Sequence, residues 1–254
     1  MKQRILEELR KIEEREQIHI LHAVESGSRG WGFASPDSDY DVRFIYVRKE
    51  MDYLRLDPVR DVIELPIDDV LDINGWDLKK ALILLHSSNP SLLEWFDSPI
   101  EYIHSSFSDE FISIKNDYFV AKSGLYHYLH MAKGNFREYL HRDMVRAKKY
   151  FYVLRPILAC LWIMDRGTPP PMVFKDLMTA ELPENLKGTV ENLLELKTNH
   201  PEQKLIPIIT ELNEYMVRMI SEIEAKIDLM PQEQKKPFDK LNKLFIKTLK
   251  EMGE

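Results

Sequence analysis

The stretch Gly27-Ser28-Arg29-Gly30-Trp31-Gly32-Phe33-Ala34-Ser35-Pro36-Asp37-Ser38-Asp39-Tyr40-Asp41 decides the reading of this chain. Ahead of it, Ile18 to Val24 is apolar and β-branched and reads as a strand. Ser26 to Ser38, with its glycines and serines, reads as a loop with at most a short helix. Tyr40 to Val47 reads as the next strand. Strand side chains alternate between faces, so Asp39 and Asp41 are expected on one face, roughly 6–7 Å apart along the chain.

Two carboxylates so placed repel each other unless a cation lies between or beside them. Magnesium takes oxygen ligands and pairs with one or two carboxylates plus substrate phosphates. A two-ion site steadies both the attacking and the leaving oxygen of an in-line phosphoryl displacement. The Gly27-Ser28 turn meets the other need. Glycine lets the backbone come close to a phosphate, and exposed N–H groups at a turn bind anions. Ser28 adds a hydroxyl donor and Arg29 a bidentate cation. A D-x-D or a G-S turn alone is a weak signal; the two together, with a strand before the turn and a strand under the acids, are specific.

Working outward, residues 2–16 set Ile5, Leu9 and Ile12 at helical spacing. Val59 to Leu65, Val70 to Ile73 and Pro99 to Ile103 read as further strands, with a helix from about Trp76 to Leu85. Asn89-Pro90 offers an N-cap with proline at the first helical position. From Ser106, with Asp109 as the expected capping-box partner, the chain reads as nearly all helix: 109–116, 121–139, 143–165, 172–179, 184–197, 202–229 and 235–252. Pro169 to Pro171 is a loop. The expected fold class is α+β: a small mixed sheet with flanking helices over residues 1–105, then an all-helical domain over 106–254.

The formal net charge of -7 differs from that of a uniformly basic nucleic-acid binder, although a local basic face is compatible with it. Cys160 stands alone, which excludes a disulfide framework and a cysteine zinc site. The N-terminus is a charged amphipathic pattern without a signal-peptide core, and Arg155 and Pro156 interrupt the apolar run Phe151 to Met164, too short to cross a bilayer. The reading is a cytoplasmic protein without a membrane partner. P-loop, H-E-x-x-H and dinucleotide patterns are missing.

The G-S turn, the ten residues between Ser28 and Asp39, and the D-x-D on the next strand resemble the DNA polymerase β-like nucleotidyltransferase superfamily. DINGWDLKKAL (72–82), SNPSLLEWFDSPI (88–100), YHYLHMAKGN (126–135) and KKYFYVLRPILA (148–159) are similar to its RNA-repair-pathway DNA polymerase β family, over roughly residues 15–180. The resemblance implies transfer of a nucleoside monophosphate from a nucleoside triphosphate, most simply ATP, to an acceptor hydroxyl, with Mg²⁺ or Mn²⁺. It implies an RNA 3′ end as acceptor, with a protein or a small molecule as the alternative. It also implies a third carboxylate flanked by apolar residues. Asp72 and Glu64 both fit, and Asp72 is favoured because a helix starts soon after it.

Lys148, Tyr152 and Arg155 share one helical face, and Lys149 meets Tyr152 at i, i+3. Such a face suits a triphosphate tail; it is equally a basic face over an aromatic contact. His127 and His130 lack a third ligand at convincing spacing and read as structural or substrate-contacting. Trp76 reads as core, Asp77 as a helix-start residue near Lys80, and Trp31 as core or ligand contact. A non-catalytic nucleotide-binding module is the rival reading, against which the intact D-x-D counts.

Overall fold

The computed structural model describes residues 1–66, 70–199, 205–231 and 234–252. The chain opens with α1 (Lys2–Glu16), β1 (His19–Glu25), α2 (Gly27–Gly30) and β2 (Tyr40–Val47). Next come α3 (Glu50–Tyr53), β3 (Val62–Glu64), β4 (Leu71–Asp77), α4 (Leu78–His86), α5 (Pro90–Trp95), β5 (Glu101–His104) and α6 (Ser106–Lys115). The rest is α7 (Ala121–Tyr139), β6 (Met144–Arg146), α8 (Ala147–Arg166), α9 (Phe174–Glu181), α10 (Glu184–Asn199), β7 (Leu205–Pro207), α11 (Thr210–Leu229) and α12 (Asp239–Met252).

Two compact units result, and they are interleaved in sequence instead of meeting at one cut near residue 105. The first comprises Met1–Gly27, Asp39–Tyr118 and Lys235–Glu254; the second comprises Ser28–Ser38 and Phe119–Gln234.

The first unit holds the expected mixed sheet, in the order β3-β4-β2-β1-β5. β2 and β4 are parallel; the other neighbours are antiparallel. Ile5, Leu9 and Ile12 of α1 form the buried stripe their spacing predicts, in one apolar cluster with Ile20, Ala23, Val42 and Phe44. Asn89 caps α5 through its side chain, which accepts from the Leu92 amide at 3.0 Å, and Pro90 takes the first turn.

Three elements differ from expectation. β4 continues through Trp76 to Asp77, so Trp76 is a strand residue stacked on Trp95 at 3.9 Å. Asp77 is the N-cap of α4, accepting from the Lys79 amide at 2.8 Å. The cap of α6 is Ser105, with Ser108 in the role expected of Asp109: the Ser108 hydroxyl accepts from the Ser105 amide.

The second unit is helical around α7 and α8 but not all helix. Met144–Arg146 and Leu205–Pro207, both expected inside helices, pair as a short antiparallel ribbon. Pro207 and its isoleucine neighbours favour extended chain, and α11 starts only at Thr210. Residues 202–204 of that expected helix lie outside the described residues. Similarly α12 begins after Pro237, not at 235. The thiol of Cys160 is buried in α8, which pushes its pKa up. Among the described residues no helix is long and apolar enough to cross a membrane.

β4 lies against β2 with Gly75 directly opposite Phe44. A Cβ on Gly75 would sit 2.2 Å from the Phe44 ring, which is fully buried. Gly75→Ala is therefore expected to lower stability by roughly 1–3 kcal/mol through overpacking. Urea denaturation measures it; an unchanged midpoint would show that the ring moves freely aside.

Candidate active site

The acidic motif meets its partner because β2 and β4 run parallel in register. Asp41 lies opposite Asp72. Glu64, the other candidate third carboxylate, lies opposite Asn74 on the edge strand β3 and pairs with Arg60 at 2.5 Å. Asp72 is thus the carboxylate beside Asp41. Asp39 is exposed and precedes β2 by one residue, where the Tyr40 amide already bonds the Val70 carbonyl at 2.8 Å.

Arg43 joins the two acids. Its Nη2 donates to Asp72 Oδ2 at 2.7 Å and to Asp41 Oδ1 at 3.1 Å, and Nη1 donates to the Asp72 carbonyl at 2.9 Å. At roughly 5 Å and an effective dielectric near 20, two carboxylates repel by about 3 kcal/mol. One guanidinium hydrogen-bonded to both offsets that repulsion. Both acids remain open to solvent, at 28% and 30% side-chain exposure, so a further cation has access. Mg²⁺ and Mn²⁺ fit this donor set of hard carboxylate oxygens.

Gly27 closes the other side. Its φ is +55°, and a Cβ would fall 1.9 Å from Asp41 Oδ2. The Ser26 amide donates to the Asp41 carbonyl at 2.8 Å. Beneath them Glu25, fully buried, accepts from the Asp41 amide at 2.8 Å and from the Tyr102 hydroxyl. Sequence reasoning missed Glu25 and Arg43. A charged residue ending an apolar strand, and an arginine two positions after an acid on one face, are the signals that mark them.

The remaining candidates lie in the second unit. The Ser28 carbonyl accepts from the Phe33 amide at 3.0 Å, and Arg29 Nη2 donates to the Ser38 carbonyl at 2.7 Å, bracing the 28–38 segment across its ends. Lys197, buried on α10, donates to the hydroxyls of Ser35 and Ser38 at 2.9 and 3.2 Å. Lys148 lies in the first turn of α8. Lys149 sits 3.4 Å over the Tyr139 ring and 4.9 Å over Tyr152. Arg155 is buried instead of lining an open face: it lies over the Trp31 ring at 4.6 Å and donates to the Met172 carbonyl. Trp31 also meets Tyr152 edge-on, so core packing accounts for much of its environment.

A second group suited to a metal is His22, Glu101 and His104, with ligand atoms within 4.8 Å of one another. Their ring nitrogens already have protein partners. His22 faces Ser108 Oγ at 3.0 Å and the Trp95 carbonyl at 3.4 Å; His104 faces Glu101 and Asp109. Burial lowers the His22 pKa to about 4, and Asp109 and Glu101 raise that of His104.

The first unit thus brings together a glycine bend, two parallel strands and opposed carboxylates. The chain belongs to the RNA repair pathway DNA polymerase beta family, whose family model matches residues 1–247. It is 45% identical over 254 residues to the uncharacterized protein YcgL of Bacillus subtilis (strain 168), covering 99% of this chain and 98% of that one. A solved nucleotidyltransferase-like protein from Exiguobacterium sibiricum 255-15 aligns over 98% of this chain and 81% of its own, at 10% identity and a TM-score of 0.32.

Two predictions follow from this geometry. Gly27→Ala is expected to cost roughly 1–2 kcal/mol for the left-handed backbone alone, and more because Asp41 must move. Gly134→Ala, where a Cβ meets nothing within 4 Å in α7, is expected to be neutral or stabilising. Urea denaturation of both variants separates a general glycine effect from the local one. For His22, the folded pKa lies below the unfolded value of about 6.5, so falling pH loads a proton on the unfolded chain only. Its contribution to stability should shrink by up to about 3 kcal/mol between pH 6.5 and 4, then level off. His104, raised, acts above that window and in the opposite sense. The stability difference between wild type and His22→Gln, measured across this range, should change accordingly; a constant difference would refute it.

Proposed function

We propose that this protein is a metal-dependent nucleotidyltransferase. It would transfer a nucleoside monophosphate from a nucleoside triphosphate, most simply ATP, to an acceptor hydroxyl. In the reaction the hydroxyl oxygen bonds to the α-phosphorus, the bond to the leaving phosphate oxygen breaks, and pyrophosphate departs. The observation carrying this reading is the opposition of Asp41 and Asp72 across parallel strands, with Gly27 against the Asp41 carboxylate.

Asp39, Asp41 and Asp72 would hold Mg²⁺ or Mn²⁺. Bound there, the metal would neutralise phosphate charge and lower the pKa of the acceptor hydroxyl. The protein's own groups do the positioning. Arg43 holds both strand acids aimed together. Glu25 fixes the Asp41 amide, and with it the start of β2. The Gly27-Ser28 bend, free of a Cβ at Gly27, would admit the triphosphate beside the carboxylates. Ser28 and Arg29 would contribute donors, and Lys148, Lys149, Tyr152 and Arg155 a basic and aromatic surface for the phosphate tail. Catalysis of this kind is mostly orientation and charge neutralisation.

An RNA 3′ end is the proposed acceptor, supported by the family to which the chain belongs. One observation favours a second reading, a non-catalytic nucleotide-binding module: Arg43 already satisfies both strand carboxylates. Turnover separates the two. Labelled triphosphates with Mg²⁺ or Mn²⁺ and RNA should give labelled RNA, and Asp41→Asn should reduce the rate about 100-fold or more with an unchanged circular dichroism spectrum. Equal rates in both proteins would refute the enzyme reading, and label on added protein or small acceptors would redirect the acceptor assignment.

A further inference from the structure

The first unit carries a second concave site at the far end of the same two strands. Asp41 and Asp72 stand at the starts of β2 and β4; Arg48 follows the end of β2, and Asp77 ends β4. The separation along the strands is about 20 Å. There a cleft of about 330 Å³ opens between Arg48, the chain after α3, and the start of α4. That volume suits a small ligand.

Its charges are unevenly paired. Arg55 pairs with Asp57 at 2.5 Å and Asp52 at 3.8 Å, and Lys80 with Asp61 at 3.1 Å. Asp77 is taken up by the Tyr53 hydroxyl at 2.8 Å and by the Lys79 amide. Arg48 and Lys79 make no ion pair among the described residues. The guanidinium of Arg48 lies 5.3 Å from the Tyr46 ring centroid, bonds the Arg60 carbonyl at 3.5 Å and interacts with the Tyr46 hydroxyl and the Asp77 carboxylate, yet its buried Nε has no hydrogen-bond partner. Such a group is costly to leave incompletely bonded.

Lys79 is misplaced for stability as well. Cations are disfavoured in the first turn of a helix, where the backbone N–H groups already present positive charge. Two lysines open α4, and only Lys80 has an acid partner. Lys79 thus places an unpaired positive charge beside the cleft, whose lining also carries Asp52, Asp57, Asp61 and Asp77. Arg60, paired with Glu64, also lines the cleft, and Pro58, Val59 and Ile83 form its apolar part.

We propose that this cleft binds a small organic phosphate, its phosphoryl group between Arg48 and Lys79 and its apolar body against Val59 and Ile83. The site is separate from the carboxylate site and does not depend on the function assigned there.

The test is calorimetric titration of the full chain in EDTA, so that the carboxylate site holds no metal and repels anions. Phenyl phosphate should bind, inorganic phosphate more weakly, and benzyl alcohol not measurably. Lys79→Met, an exposed substitution that leaves the fold intact, and Arg48→Met should each weaken phenyl phosphate binding at least tenfold. Asp41→Asn should leave it unchanged. Unaltered affinity in Lys79→Met, or loss of binding in Asp41→Asn, would overturn the proposal. So would a short single-stranded RNA that binds through Arg48 and Lys79 more tightly than phenyl phosphate, which would mark the cleft as a nucleic-acid surface.

Discussion

One guanidinium shared by two carboxylates is the interaction on which the site depends. Asp41 and Asp72 lie opposite each other on adjacent strands, and like charges so placed repel. Arg43, hydrogen-bonded to both, offsets that repulsion and holds them together. Both carboxylates stay partly exposed beside the guanidinium they share.

Strand direction makes that sharing possible. Among the described residues only β2 and β4 run parallel, and their register places Asp41 and Asp72 at matching positions near the strand starts. Gly27 then brings the preceding bend against Asp41, and buried Glu25 ties the Asp41 amide to the β1 end. Backbone, glycine and buried acid together leave the Asp41 side chain few alternative positions. Such preorganisation on rigid strands is what charge-neutralising catalysis requires.

Much of this was legible in the sequence because it is local. The D-x-D, the G-S turn and the β2 span carry strong short-range signals, as do α1 and α7, whose ends match their expected positions. What was not legible is long-range or two-sided. Asp72 and Glu64 both fit the flanked-acid form; the helix after Asp72 favours it, and strand register puts it opposite Asp41. Arg43 gains its importance from a residue 29 positions away. Trp76 lies inside β4 although Asn74-Gly75 precedes it, so the strand-to-helix boundary falls later than the apolar pattern suggests. Leu205–Pro207 forms a strand because a partner, Met144–Arg146, exists far along the chain. Arg155, read as part of a phosphate-facing surface, is buried against Trp31, a contact that helical periodicity does not reveal.

The segment between β1 and β2 also constrains how the chain can be divided. Residues 28–38 leave the sheet-bearing unit and fold with the helices: Phe33 lies among Phe151 and Phe174, and Lys197 holds Ser35 and Ser38. A fragment starting at Phe119 would lack one wall of its own core and leave a buried ammonium without those hydroxyls. A fragment ending at Tyr118 would carry an eleven-residue insertion stripped of its packing. The helices thus need a piece of chain made more than eighty residues earlier, so on the ribosome the loop must wait for its core to arrive. Swapping either half between relatives would fail unless this short stretch travelled with the helices.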